Sequence, residues 1–320
     1  MSGVVSLGSV NVDRVAYLDA ERVTALGDRH DWFPGPGETV TVPADDVPPD
    51  VAGRTYENFL GGKGANQAVA AAAAGAEATL VGRVGYDQRQ FGVLDSLAAR
   101  GVDVGPVETV DAPTGTAYIF VDGGGESWIA IVEGANGRVD PTAVRAHADV
   151  VRDADCLLLQ NEVPTAAMVA ALEDLADRPD RPTVVFDPSP VDGAAAVADH
   201  DAVDVLVPNE AETTALEGTL DRFGGTVVRT RGADPVAVDP ADGAGFAVTP
   251  PSVDPVDTTG AGDTFSGYLA ARLAGGASLR RAVEDATVAA ALQTTAEGAQ
   301  RAVPDRADVA AASRSVDATF

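Results

Sequence analysis

Asp263 lies in DTTGAGDTFSGYLAARL, a stretch that starts at Asp257 and opens what reads as a helix. Gly260, Ala261 and Gly262 are small residues at its first turn. Their backbone N–H groups lie near the positive end of the helix dipole and can cradle an anion. A carboxylate is oddly placed for binding an anion, since like charges repel. It makes sense as a general base that takes a proton from a hydroxyl while nearby amides hold the charge that develops. The competing reading is an acid that only caps the helix and favours its dipole.

A second chemical stretch, LGGKGANQAVAAAAAGA, begins at Leu60. Gly61, Gly62 and Gly64 let the backbone approach a ligand closely before a helix starts. Lys63 and Asn66 then offer donors to hydroxyl groups. The spacing is not that of a Walker-A loop, because Lys63 is followed by Gly64 rather than Ser or Thr. A tight strand–helix turn with a solvated lysine is the competing reading. Two shorter motifs add to these. In GSVNVDR (8–14), Asn11 and Asp13 follow a buried strand and alternate, so their side chains point the same way. An amide plus a carboxylate can hold two adjacent sugar hydroxyls, although a plain turn reads equally well. In VPNEAET (207–213), Asn209 and Glu212 stand three apart at a helix start and share a face. That pair suits Mg²⁺ held through waters, or an ordinary first helical turn.

The elements that must position these residues alternate. Apolar, β-rich runs at 4–10, 78–85, 156–160, 183–188, 203–209 and 226–232 are separated by helix-like runs. Those runs fall at 65–74, 91–100, from Pro141, 164–176, from Glu210, 261–274 and 279–295. This rhythm predicts an α/β fold, a doubly wound and mainly parallel sheet with helices on both faces. Residues 116–121 and 127–132 flank the turn DGGGE and read as a hairpin. Residues 12–60 break the rhythm with short alternating pieces between Pro, Gly and Asp. These predict a small antiparallel β lid, built from segments within about 12–60 and 113–133 of a single 1–320 domain. The stretch from Ala20 to Pro36 shows no apolar periodicity and reads as a long loop.

The chain has 320 residues and 45% apolar content, enough for a sizeable core. Its 49 acidic and 22 basic residues leave a net charge of −27. That balance argues against nucleic acid or an anionic membrane as partners, which need basic surface. Aspartate outnumbers glutamate 35 to 14, and Lys63 is the only lysine beside 21 arginines. A surface so rich in aspartate is of a halophilic type, suited to concentrated salt that screens its self-repulsion. A chain that has almost abandoned lysine keeps one inside a glycine-rich turn, which marks Lys63 as a ligand contact. Cys156, the only cysteine, excludes an internal disulfide and a Cys-cluster metal site. With no signal peptide at MSGVVSLGSV and no apolar run long enough to span a bilayer, a reduced, cytoplasmic location is expected. His30, His147 and His200 show no ligand spacing.

Taken together and in this order, the motifs resemble the ribokinase family of carbohydrate kinases, also called the PfkB family. GGKGANQA and DTTGAGDTF match its two signatures. GETVT (37–41), PTGTAYIFVDGGGE (113–126), EGAN (133–136), LLLQNEVP (157–164), VPNEAE (207–212) and EGAQRAVP (297–304) extend the match over nearly the whole chain. The resemblance implies a ribokinase-like fold and ATP-dependent phosphoryl transfer to a sugar hydroxyl, with ribose going to ribose 5-phosphate. It implies Asp263 as base, with Gly260, Ala261, Gly262 and the Asp263 amide as the anion hole. It assigns Asn11, Asp13, Gly62, Lys63, Asn66 and Glu162 to the sugar. Asn209 and Glu212 would serve the nucleotide phosphates and hydrated Mg²⁺, Thr230, Arg231 and Gly232 would lie along ATP, and Thr287 near adenine. Asp257 and Thr259 would bind a monovalent cation, K⁺, completed by backbone carbonyls near Gln293, Ala296, Gly298 and Ala302. A homodimer through the lid is also implied. The chain departs from the family pattern at Pro235, where a second glycine is usual, and in lid additions around Ala20–Trp32 and Ala44–Arg54. Acceptors other than ribose remain compatible with this pattern: a nucleoside, ribose 1-phosphate, fructose or 2-keto-3-deoxygluconate. A non-catalytic binder of sugar or nucleotide is the reading outside enzymes.

Overall fold

The computed structural model describes residues 2–36, 39–124 and 126–317. Gly37 and Glu38 of the GETVT motif and Gly125 of the DGGGE turn lie outside the described residues. The strands, in chain order, are β1 (Gly3–Leu7), β2 (Asn11–Tyr17), β3 (Thr39–Thr41), β4 (Glu57–Gly61) and β5 (Glu77–Gly85). They continue with β6 (Val102–Asp103), β7 (Val107–Val110), β8 (Gly115–Val121), β9 (Ser127–Val132) and β10 (Cys156–Gln160). The last five are β11 (Thr183–Asp187), β12 (Val205–Leu206), β13 (Thr226–Arg231), β14 (Asp234–Asp239) and β15 (Phe246–Val248).

Among these, a large sheet runs β15-β14-β13-β12-β11-β10-β1-β5-β6, with β7 also on β5. Its centre is parallel, and β13, β14 and β15 close one edge antiparallel. Strands buried on both faces need continuous apolar runs, and CLLLQ and TVVFD supply them. Leu158 and Val185 point to one face, where helices Lys63–Ala73, Ala261–Ala274 and Leu279–Gln293 pack through small residues such as Ala70, Ala271 and Ala286. Leu157, Leu159 and Phe186 point to the other, against Met168 and Leu172 of helix Thr165–Leu175. The expected doubly wound sheet is the observed one. β1 lies between β10 and β5, so successive connections leave it in both directions. An open α/β sheet places its ligand crevice at the carboxyl ends beside such a point.

The lid is a five-stranded sheet in the order β3-β9-β8-β2-β4. The expectation of an antiparallel lid is corrected in part. β8–β9 and β2–β4 are antiparallel, but β2–β8 and β3–β9 run parallel. β2 and β8 come from distant parts of the chain, and turn chemistry sets only the local hairpin. The expected loop from Ala20 to Pro36 contains a helix, Ala20–Gly27, capped by Asp19. Only Val23 and Leu26 of it are buried, too few apolar residues to show a period. They join Ala16, Val51, Tyr118, Phe120 and Trp128 in a small core on one face of the lid. The expected helix at 91–100 is divided by Gly92 into Gln88–Phe91 and Val93–Ala99. Of the strand expected at 203–209, only Val205–Leu206 pairs.

Candidate active site

The carboxyl ends of β1, β10 and β11 deliver the GSVNVD segment, Glu162 and Asp187 to one crevice. The first turns of helices Lys63–Ala73 and Ala261–Ala274 enter it from above. Gly62 begins the first of these helices at φ 88°, and a Cβ there would lie 2.7 Å from the Asn11 amide nitrogen. The turn therefore presses against the β1–β2 connection and aims Lys63, Asn66 and Gln67 into the crevice.

Asp263 is buried, and its carboxylate does not cap its own helix. It accepts hydrogen bonds from Asn66 Nδ2 at 2.9 Å and Gln67 Nε2 at 3.3 Å, with Lys63 Nζ 3.5 Å away. The capping alternative falls on this geometry, because every side-chain donor comes from the opposite helix. Gly260, the N-cap, has φ 81°, and a Cβ there would meet Ala299 Cβ at 2.7 Å. Ala261 and Gly262 follow at the dipole's positive end, with the Ala261 N–H donating to the Thr258 carbonyl at 3.2 Å.

On the side where the sugar is expected, Asn11 and Asp13 share a face of β2. Asn11 Oδ1 accepts from Asn136 Nδ2 at 2.7 Å, which turns the Asn11 amide nitrogen outward to donate. Burial first, then the like charges of Glu162 and Asp263, push the Asp13 carboxyl up to about 7. One Glu162 oxygen accepts from Ser9 Oγ and from the Lys63 amide, the latter at 3.0 Å. Burial works against the Lys63 charge, but Asp187, then Asp263, Glu162 and Glu212, outweigh it and hold the amine above the usual lysine range. One cation thus serves a ring of carboxylates.

On the far side of the Ala261–Gly262 turn lies a cavity of about 460 Å³. Thr230, Gly232, Ala261, Gly262, Thr287 and Ala290 line it, so three of the six expected nucleotide residues, Thr230, Gly232 and Thr287, meet there. Its size and largely apolar walls fit a nucleoside. Arg231 is exposed on β13 and does not line the cavity, and neither do Asn209 and Glu212. Pro235 stands where the β13–β14 register shifts, at an antiparallel edge that tolerates a missing N–H. Asn209 and Glu212 form a reciprocal cap, with Asn209 Oδ1 accepting from the Glu212 amide and Glu212 Oε2 from the Asn209 amide. Among the described residues, no three His, Cys, Asp or Glu side chains converge into a metal cage. Glu212 nevertheless lies within electrostatic reach of Lys63 and Asp187, where lone pairs can accept from metal-bound water.

Asp257 ties two loops together, accepting from the Thr259 amide and the Gly298 amide at 2.9 Å each. Burial opposes its charge, but those two amides prevail and hold the carboxyl below its ordinary range. Gln293 is fully buried and donates to the Thr259 carbonyl at 2.6 Å, while its own Oε1 is buried without a hydrogen-bond partner. Ala296 and Ala302 flank the same loop, their amides bonding the Gln293 and Gly298 carbonyls. An orphaned buried oxygen beside an oxygen-rich loop fits a monovalent cation.

Sequence reasoning missed Asp187, Gln67, Gln160 and Gln300. Asp187 ends β11 and lies 3.4 Å from Lys63 Nζ. Burial pushes its carboxyl up to about 7, with Lys63 pulling down and Asp263 and Glu212 pushing up. Gln300 donates to Asn66 Oδ1 at 3.0 Å, which leaves the Asn66 amide nitrogen facing Asp263. The one available signal was polarity inside apolar runs: Gln160 closes CLLLQ and Asp187 closes TVVFD.

A doubly wound sheet, a strand-built lid and a buried carboxylate in the first turn of a helix at the crevice fit a carbohydrate kinase of the ribokinase-like class. The comparisons agree. Residues 37–306 match the pfkB family carbohydrate kinase, and the chain belongs to that family. It is 31% identical to the ribokinase of Haemophilus influenzae over 318 residues, 94% of each chain. It is 32% identical to the ribokinase of Bacillus subtilis over 321 residues, covering 97% of this chain and 98% of that one. It superposes on the Arabidopsis thaliana ribokinase complexed with ribose and ATP with a TM-score of 0.79 at 26% identity, covering 98% of both chains.

Proposed function

We propose that the enzyme moves the γ-phosphoryl group of ATP to the 5-hydroxyl of D-ribose, giving ribose 5-phosphate and ADP. The observation that carries this reading is the position of Asp263. Its carboxylate faces the Lys63–Asn66–Asp13 cluster, while the turn that bears it also walls the nucleotide cavity. Ribose lies among Asn11, Asp13, Gly62, Lys63, Asn66 and Glu162. Asp263 takes the hydroxyl proton as the sugar oxygen bonds to phosphorus and the bond from phosphorus to the ADP oxygen breaks. The amides of Gly260, Ala261, Gly262 and Asp263 face the charge on the migrating group. Phosphoryl transfer needs mainly this alignment and charge stabilisation. Mg²⁺ would be held through water by Asn209 and Glu212 and would supply charge neutralisation on the phosphates. The Asp257–Thr259 and Gln293–Ala302 loops would hold K⁺, whose charge would help set the shape of the turn that follows Thr259.

The same reading makes residues 1–320 one catalytic domain whose lid, within about 12–60 and 113–133, covers the sugar and excludes water. It places the enzyme in the cytoplasm, beside its ATP. It also makes the enzyme a homodimer through the lid. β2, β8 and β9 there present Val15, Tyr17, Ile119, Val121, Ile129 and Ile131 on the face that carries Asp13, none of them fully buried.

The test is a coupled assay with ribose and ATP in high KCl, with NaCl as the control, on the native enzyme and Asp263→Asn. Turnover of ribose is expected, with a loss in the variant of roughly 10²–10⁴-fold and ribose binding retained. Activity confined to a nucleoside, ribose 1-phosphate, fructose or 2-keto-3-deoxygluconate would move the acceptor and keep the chemistry. Native-like turnover in Asp263→Asn would remove the base. Binding of ribose or ATP without turnover of any acceptor would make the protein a non-catalytic binder.

A further inference from the structure

Asp187 and Asp263 share the same two donors. Gln67 Nε2 lies 2.9 Å from Asp187 Oδ2 and 3.3 Å from Asp263 Oδ1. Lys63 Nζ lies 3.4 Å from Asp187 Oδ2 and 3.5 Å from Asp263 Oδ1. The direction of these bonds is fixed from below. Gly64 O can only accept, so Ser6 Oγ donates to it at 2.9 Å and must accept from Gln160 Nε2 at 3.1 Å. Gln160 Nε2 also donates to Gln67 Oε1 at 2.7 Å, which leaves the Gln67 amide nitrogen to face both carboxylates. The Ser189 amide holds the other Asp187 oxygen at 3.1 Å. Asp187 is therefore a buried, oriented carboxylate, held by Gln67, Lys63 and the Ser189 amide, that the phosphoryl transfer does not itself require.

We propose that Asp187 is a positioning residue for the base: it takes a share of Lys63 and of Gln67, so that neither closes on Asp263 alone and Asp263 stays free to take the hydroxyl proton. This rests on Asp263 being the base. Lys63 is the only lysine, and several acids compete for it. Asp263 is faced by Lys63, Asp187 and Asp13. Lys63 is faced in addition by Glu162 and Glu212, and Glu212 also faces Asp187. Removing the Asp187 charge lets Lys63 pair wholly with Asp263 and removes a like charge from beside it. Both changes make Asp263 a weaker base. Removing the Gln67 amide has the opposite effect, because Asp263 loses a donor that favours its charged form.

The readout is the single-turnover rate with ribose and ATP as a function of pH, whose acidic limb reports the base in the ternary complex. Asp187→Asn is expected to move that limb down by about one pH unit and to slow the plateau roughly three- to tenfold, with a smaller change in ribose KM. Gln67→Met is expected to move the limb up. A purely structural role predicts lower thermal stability with both limbs in place. An unmoved limb in both variants, or an upward shift in Asp187→Asn, overturns the proposal. Should Asp187→Asn fail to fold, Gln67→Met decides alone: an upward limb upholds the sharing and an unmoved one overturns it. Native-like turnover in Asp263→Asn overturns the base assignment and this inference together. Lost turnover there, with unmoved limbs here, overturns this inference only.

Discussion

Asp13 shows what the sugar site demands of the folded chain. Its carboxyl is held near 7 by burial and by Glu162 and Asp263, whereas an unfolded aspartate titrates at about 3.8. Between those values the folded chain binds more protons than the unfolded one, so stability is complete below about 3.8 and is lost as pH rises through 7. Asp13→Asn keeps the shape and removes the charge. The ligand-free variant is expected to melt above the native protein at pH 8, by an amount on the order of a few kcal/mol, with the gap closing toward pH 4. Melting curves across that range check this, and a gap independent of pH would show that Asp13 carries no such burden. Ribose hydroxyls donating to Asp13 favour its charged form, so saturating ribose should narrow the gap at pH 8. Residues of this kind were legible when their type clashed with their surroundings. Asp263 in an anion-binding turn and the single Lys63 in a glycine run are such cases. Asp187 showed only as the polar end of TVVFD, and its pairing with Gln67 was not legible, because 120 residues separate them and only the order β11-β10-β1 brings them together.

At the scale of elements, two helix N-termini do most of the positioning, and both begin at a glycine with positive φ, Gly62 and Gly260. The second can be tested without touching a side chain that bonds substrate. Gly260→Ala puts a methyl group 2.7 Å from Ala299 Cβ and forces a left-handed conformation on alanine. The turn must shift, and its N–H groups lose their aim at the phosphoryl group. A fall in kcat of roughly 10²–10³-fold is expected, as for the loss of one oxyanion donor. Ribose binding, measured by calorimetry, should change little because Asp13 and Lys63 are undisturbed. Equal losses in both would mean that the substitution unfolds the crevice rather than the anion hole. The elements legible in advance were those with long apolar runs or a clear period, such as β10, β11 and the helices Ala261–Ala274 and Leu279–Gln293. Missed were the short strands β14 and β15 at one end of the large sheet, where few buried side chains mark a face, and the helix Arg306–Asp317. The parallel pairing of β2 with β8 was also beyond a local reading, since it joins segments about a hundred residues apart.

For the whole molecule, charge and the lid meet in one question of assembly. Val15, Ile119, Ile129 and Ile131 line the lid face that carries Asp13, and Tyr17 there is 65% exposed. The opposite face of the same strands is filled by Tyr118, Phe120, Trp128 and the helix Ala20–Gly27, so the lid additions occupy that side and leave the Asp13 side open. Contiguous apolar surface of this kind marks an interface, and two copies meeting there would each extend cover over a sugar site. Each copy brings a charge of −27, however, and at low salt that repulsion opposes association. The Debye length shortens from about 10 Å at 0.1 M to about 3 Å at 1 M, while apolar burial is not weakened by salt. The proposed dimer should therefore strengthen as KCl rises, the reverse of an assembly held by ion pairs. Sedimentation velocity at 0.1 M and 1 M KCl should show the dimer fraction rising. Ile129→Glu should abolish the dimer at both salts and raise ribose KM, since it places a new carboxylate at the centre of the seam. A dimer in Ile129→Glu equal to the native one would move the interface elsewhere on the molecule, and a monomer at every salt in the native protein would remove the dimer.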